Sequence, residues 1–579
     1  MNWDKQSIIA VVLGGAVLVL WYMFGADMVN QPAPPAPPAV QTQTTQPAAD
    51  NKAAVPAAAT EKALNNTQLK AMEMVTVSGK QASYTFQPVS GTLERVTFNN
   101  NFFKHDRKQA LEITNELPKL AGYAAEYGTF GIRSERNFLT TVKVLQSQKI
   151  SDKEYMLSRL LRDTTGTEFI AITRYKVLDN YQVQMNLTIA NPGKKALIIP
   201  ELNISAGDLQ QWHNLSGDKK SNSQELHTIE YCTMSGKVKN EEAGADNDDW
   251  SELNGKNVRW FGVVNRFFAQ LMSCNDAVKL QADRVVYPEN NKEFIVCTSA
   301  LLNSFTLAPQ ATKEFSFKYY LGPKQPKALR DFDSEATEVM HLGWFPIDFL
   351  AYIMLAILNW LYGAINSWGW SIILLTLLIR TIFFPVTMKA NASMREMSAL
   401  SPKLKEIREK YKDEPMVAQA KMSELYKEHK VNPMGGCLPM LIQIPVFIAL
   451  YYALGSAAEL RQQSFWWIND LAQPDTVCHI FGLAINPLII AWTLLMVVQQ
   501  KLTPTAMDPM QAKVMLAMPL VMLFILYTLP AALTLYWTVS QIFSIAQMIY
   551  QNKIKKAEEA KLKASKEANN ADKPKIVRS

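Results

Sequence analysis

The chain is poor in the residues from which most enzymes and metal centres are built. It has 5 cysteines and 6 histidines in 579 residues, and it contains no C-x-x-C, H-E-x-x-H, G-x-S-x-G, P-loop or G-x-G-x-x-G run. Cys232, Cys274 and Cys297 fall in the central part, and Cys437 and Cys478 lie further on. An odd three in one region excludes a fully paired disulfide framework and leaves a single bridge open. The acidic run "NEEAGADNDDW" lacks the ligand spacing and glycine position of an EF-hand and reads as a surface loop. These absences lead us to expect no metal, no cofactor and no enzymatic activity. The formal charge of +7 is mild for a chain this long, so nucleic acid is not the first partner it suggests.

Charge is also missing from long stretches, and there the absence becomes a signal. Residues 7–24, "SIIAVVLGGAVLVLWYMF", form an uncharged run of 18, long enough for a transmembrane signal anchor over residues 1–25. The Pro/Ala/Gln-rich stretch 26–65 cannot form a packed core and reads as a disordered tether. Residues 66–330 alternate apolar and polar positions in short runs such as "ASYTFQPV" and "YQVQMNLTIAN", broken by Asn, Gly, Pro and Asp. That pattern predicts an antiparallel β-sandwich domain. Apolar runs return at 371–388, 437–456, 480–500, 514–529 and 531–550, each near the length of a bilayer span. Residues 343–366 are rich in tryptophan neighbours and read as an interfacial amphipathic helix.

Basic residues fix the expected orientation. The segment 389–436 carries ten Lys or Arg and the tail 553–579 nine, whereas 457–476 carries only Arg461. Positive loops stay cytoplasmic, so six spans place both termini inside and the β domain outside. A seventh span at 347–366 would reverse the β domain. The expected architecture is therefore a membrane α-helical bundle of six transmembrane helices, five forming a core over 367–550, plus an external antiparallel β-sandwich. Within 389–433 an apolar stripe, Met394, Met397, Leu400, Leu404, Ile407 and Tyr411, meets a second, Ala418, Met422 and Leu425, across the turn "KDEP". That spacing predicts an antiparallel helical hairpin in the cytosol. Residues 551–579 form a basic tail.

Arg380 sits near the middle of the span "SIILLTLLIRTIFFPVTMK". A charge at that depth is expensive, so it faces protein or water rather than lipid. Candidate partners are Thr376 one turn earlier, Gln443 between Pro439 and Pro445, and the stripe Thr534, Thr538 and Gln541 with Trp537 beside it. Threonines and glutamines taken singly are common packing glue between helices. An arginine with five donors needs more, and a hydrated cavity among these helices supplies it.

The runs "WGWSIILLTLLIRTIFFPVTMKANASMREM", "VNPMGGCLPMLIQIPVFIALYYAL", "DPMQAKVMLAMPLVM" and "LYWTVSQIFSIAQ" resemble the YidC-type membrane protein insertases and their mitochondrial and chloroplast relatives. The region with "RWFGVVNRFF" and "YLGPK" is similar to the periplasmic domain of Gram-negative members, a fold like that of sugar-binding mutarotase domains. The resemblance implies a hydrophilic groove open to cytosol and lipid, lined by Thr376, Arg380 and Gln443, with Tyr536 and Trp537 where the family often has a tyrosine pair. It also implies that substrate helices pass Cys437, Pro439, Met440 and Phe447 on one span and Met522, Leu523 and Phe524 on another. The implied clients are nascent membrane proteins entering the bacterial inner membrane. The implied partners are the Sec translocase, the ribosome through the basic tail and cytoplasmic hairpin, and membrane lipids. A membrane-anchored carbohydrate enzyme and a channel or anion transporter are the rivals, the first short of paired carboxylates or histidines in a cleft, the second of an internal repeat.

Overall fold

The computed structural model describes residues 72–98, 111–114, 128–134, 139–207, 209, 227–242, 253–287, 290–429, 438–502 and 509–571. The expected anchor and tether, the acidic run except Asn240, Glu241 and Glu242, and Cys437 lie outside them, while Pro439 and Met440 are described only as helix backbone. Cys232 and Cys478 are free thiols.

The β domain holds strands β1 (Val75–Ser78), β2 (Ala82–Phe86), β3 (Leu93–Phe98) and β4 (Glu112–Thr114) in one four-stranded sheet. Then follow β5 (Ile132–Arg133), β6 (Thr140–Ser151), β7 (Glu154–Arg162), β8 (Glu168–Val177), β9 (Gln182–Ala190), β10 (Leu197–Ile199), β11 (Leu202–Gly207), β12 (His227–Thr233) and β13 (Val238–Glu242). The domain ends with β14 (Asn257–Asn265), β15 (Phe268–Tyr287), β16 (Asn290–Leu302), β17 (Phe305–Leu307) and β18 (Thr312–Pro323). Twelve of these strands share one sheet, in the order β13-β12-β14-β15-β18-β9-β8-β7-β6 with β16, β11 and β5 as a branch. The branch point is β15. Its first part, Phe268–Cys274, pairs with β18, and its second, Lys279–Tyr287, pairs with β16. Instead of two comparable sheets, the domain has one long sheet that divides at β15, with the four-stranded sheet laid against it.

Alternation is what makes this packing possible, because every second side chain of a strand points to the same face. Phe86 of β2 reaches Tyr175 of β8 at 4.4 Å, and Phe130 lies 4.3 Å from Tyr319 of β18. Such aromatic pairs add about 0.5–1.5 kcal/mol beyond the area they bury. Their polar tips are satisfied: the Tyr175 hydroxyl donates to Gly91 O at 2.8 Å and that of Tyr319 to Ser205 O at 3.1 Å.

The chain leaves the β domain through α1 (Pro326–Phe332) and a 3-10 turn over Ser334–Met340. Asp333 fixes this exit, pairing with Arg259 at 2.5 Å and accepting from the Trp260 indole at 3.1 Å. Ten helices are described, and α2 (Ile347–Ile365) is the one that is long and apolar enough by length and composition to cross a membrane. Its contacts place both its ends at one end of the helix set. Trp344, just before it, meets Tyr452 at 6.5 Å, and Tyr362 stacks on Trp368 at 4.0 Å, where α3 (Trp368–Ile382) begins beside Phe465. A Cβ on Gly369 would lie 2.2 Å from the Phe465 ring, so only glycine allows this approach.

The apolar runs depart from the expected spans in three places. The run 371–388 is divided at Phe383 between α3 and α4 (Phe384–Ala399), because Pro385 has no N–H to offer the carbonyl of Thr381. The run 480–500 begins with a hairpin, β19 (Cys478–Ile480) and β20 (Leu483–Ile485), turned at Phe481 and Gly482, both with positive φ. The last run does not stop at 550.

Helices α5 (Ser401–Lys410) and α6 (Pro415–Glu428) pack through Leu400, Leu404 and Leu425, with Met397, Ile407 and Met422 around them. The remaining helices are α7 (Leu438–Ser456), α8 (Pro487–Leu502), α9 (Pro509–Leu526) and α10 (Ala531–Ala571). The 41-residue α10 runs on through the basic segment, whose Ala, Lys and Glu are strong helix formers.

Candidate functional site, a polar seam among apolar helices

Arg380 lies in the last turn of α3, whose buried side carries Ile372, Leu375, Thr376 and Ile379. Its Nε donates to Ser540 Oγ of α10 at 2.7 Å, and its Nη2 reaches the same oxygen. Among the described residues it has no carboxylate partner, and none of its nitrogens is both buried and unpartnered. Part of the guanidinium fork therefore remains open to water or to a visiting acceptor.

One turn before Ser540 on α10 stands Tyr536, with the Arg380 charge and the Ser540 hydroxyl both acting on its phenol. Gln443 of α7 donates to the Tyr536 hydroxyl at 2.7 Å. The result is a seam, Gln443–Tyr536–Ser540–Arg380, that joins α7, α10 and α3. It continues along the same face of α10, where Gln547 donates to Thr387 Oγ1 at 3.0 Å.

The other candidates take different places. Thr376 is fully buried and its hydroxyl donates to Ile372 O at 2.7 Å, turned back into its own helix. Thr538 donates to Thr534 O at 2.8 Å and to Leu488 O at 3.3 Å, and Gln541 donates to Gln499. Thr538 and Gln541 thus face α8 and fasten it to α10, while the Thr534 hydroxyl turns back onto Pro530 O and Ala531 O. Trp537 lies between Phe447 and Trp492, with ring centroids at 5.0 and 5.1 Å, an aromatic stack across α7, α10 and α8. Met522 and Leu523 are half-buried, while Phe524 is 75% exposed on a face of α9 that also shows Leu520 and Val521.

The reading by sequence missed Ser540 and gave Tyr536 no place among the site residues. A signal was present: Tyr536, Ser540, Gln547 and Gln551 recur at spacings that place them on one helical face. That face lies nearly opposite the Thr534 stripe, and periodicity alone does not say which of the two meets the arginine.

Residues 360–559 match the model of the 60Kd inner membrane protein family, and residues 74–357 match the YidC periplasmic domain. A membrane protein insertase YidC of Geotalea daltonii is 32% identical over 563 residues, covering 95% of this chain and 99% of the relative. An active YidC insertase crystal structure is similar at 18% identity and a TM-score of 0.34, covering 82% of this chain and 92% of that one. A galactose mutarotase-like protein from Lactobacillus casei matches at 9% identity and a TM-score of 0.28, covering 43% of this chain and 100% of its own. This finding stands against the flat exclusion of an enzyme, which rested only on missing sequence motifs, and the exclusion is withdrawn. The likeness is too distant to carry a reaction across. With the two family models spanning most of residues 74–559 and a full-length relative at 32% identity, the chain belongs to the YidC family of membrane protein insertases.

Proposed function

We propose that the seam around Arg380 is the wall of a hydrated groove through which the polar flank of a nascent membrane segment passes while its apolar part enters lipid. The observation that carries this reading is the guanidinium held on Ser540 with no carboxylate partner among the described residues. A peptide group drawn through dry hydrocarbon goes unpaired at several kcal/mol, so water and fixed donors along the route lower the barrier. Arg380 attracts acidic side chains in the crossing flank, and burial of the apolar segment, at about 25 cal/mol per Å², drives release. The exposed face of α9 around Phe524 offers a surface along which that segment slides, with Phe447 across the groove; Cys437, Pro439 and Met440 belong to the same proposed path.

In this reading α3, α7, α8, α9 and α10 span the inner membrane with the undescribed N-terminal run as the sixth span, α2 lies in the outer interface, and the β domain is periplasmic. The ten Lys and Arg of 389–436 and the nine of 553–579 support a cytoplasmic place for the α5–α6 hairpin and both termini. The same basic surfaces favour the ribosome as a partner, and the Sec translocase is proposed to share clients. Purified chain reconstituted alone in liposomes is expected to insert a small single-span protein, scored by protease protection. Liposomes with the chain that protect no more client than empty ones would overturn the reading.

A further inference from the structure

Residues 476–500 carry no Asp, Glu, Lys or Arg, yet only part of them is helix. Helix α8 has 16 residues, a length of roughly 24 Å at about 1.5 Å per residue, short of the ~30 Å hydrocarbon core. The uncharged residues before it form the β19–β20 hairpin, paired Cys478 with Ile485, His479 with Ala484 and Ile480 with Leu483. Gly482, at φ 79°, completes a two-residue turn of the kind that suits a hairpin's twist. Apart from the exposed His479, its side chains at and beside the turn are apolar and bare: Ile480 is 52% exposed, Leu483 59% and Phe481 fully so.

The hairpin is not a loose loop. Thr476 Oγ1 donates to Asn486 Oδ1 at 2.6 Å, Asn486 Nδ2 donates to Tyr527 O at 2.9 Å, and the Tyr527 hydroxyl donates to Ala484 O. Asp475 accepts from Leu488 N at 2.8 Å and from the Trp467 indole at 3.1 Å. The hairpin base is thus tied to the start of α8 and the end of α9. Trp467, which donates to Asp475, lies 5.8 Å from Trp466, itself 67% exposed and 6.1 Å from Trp370, a grouping that suits the headgroup level.

We propose that the β19–β20 hairpin is a membrane-contact element lying at the headgroup–acyl boundary of the outer leaflet, its Ile480, Phe481 and Leu483 covered by lipid. The proposal rests on the reading of α8 as a span. A two-stranded hairpin has unpaired edge groups, which keep it at the boundary rather than in the hydrocarbon core.

The test attaches an environment-sensitive NBD probe at Phe481→Cys, and separately at Leu494→Cys on the exposed face of α8, in full-length protein whose remaining cysteines are serine, in phosphatidylcholine–phosphatidylglycerol vesicles. At 481 the emission is expected to shift to shorter wavelength and to lose most of its intensity to lipids spin-labelled near the headgroup. With the probe on native Cys478, Phe481→Asp should return the emission toward that in water. A water-like signal at 481 with lipid quenching at 494 would overturn the proposal and leave the span standing. A blue-shifted but unquenched signal at 481 would mean that protein covers the hairpin, which also overturns it. Absence of quenching at both positions would mean that the span reading itself has failed.

Discussion

Arg380 rests on one hydroxyl, and a single neutral partner holds a guanidinium in place without cancelling its charge. If that charge is felt by the crossing flank, Arg380→Ala should slow insertion of a client with an acidic translocated segment about tenfold or more relative to a neutral twin, the equivalent of about 1.4 kcal/mol at the barrier. Arg380→Lys should recover much of the difference. The measurement is a matched client pair at equal insertase abundance, and equal slowing of both would leave the arginine only the task of keeping the seam wet. Arg380 was legible in the sequence because a charge inside an apolar run has few explanations. Ser540 was not, since a serine in a helix of mixed small residues looks like any other until the neighbouring helix is placed against it. Thr376 shows the converse: one turn from Arg380 in sequence, its hydroxyl is spent on its own backbone.

At the scale of elements, α5 and α6 share a core of three leucines, Leu400, Leu404 and Leu425. Leu404 is 1% exposed, and its truncation to alanine removes contacts worth about 2–5 kcal/mol in a large core. A core this small has little else to hold it. Leu404→Ala should therefore abolish amide-exchange protection across 401–428 together, with protection in α2 and α3 unchanged; loss confined to α5 would show that the two helices stand independently. The α5–α6 stripes follow a local period of three and four, which a sequence displays directly. The break at Pro385 and the hairpin before α8 are harder to read. Apolar composition is the same for a straight helix, a divided one and a short strand pair, and the turn at Phe481-Gly482 is marked by one glycine in a run that hydropathy treats as uniform.

At the scale of the molecule, the β domain meets the helices at a buried charged junction. Lys324, at the end of β18, is 1% exposed, and burial pushes its ammonium down to about 7, with Glu230 holding it up and Arg266 pressing it further down. A lysine with a folded pKa below its unfolded value binds fewer protons when folded, so stability rises with pH between about 7 and the unfolded value near 10.4. The denaturant midpoint of the β domain in the full-length protein should thus increase from pH 7 to 9, and Lys324→Met should raise the midpoint at pH 7 and flatten that slope. A slope unchanged by the substitution would assign it to other groups. The antiparallel β domain itself was visible as alternation. Its branching at β15 was not, because which half of a 20-residue strand pairs with which partner is a matter of distant neighbours. The longest element, α10, has a further consequence. At 41 residues it is a rod of roughly 62 Å that carries Tyr536 and Ser540 near one end and the lysine-rich segment at the other. No interior proline interrupts it. The Ser540 oxygen that holds Arg380 and the lysine-rich segment therefore belong to one unbroken backbone ladder.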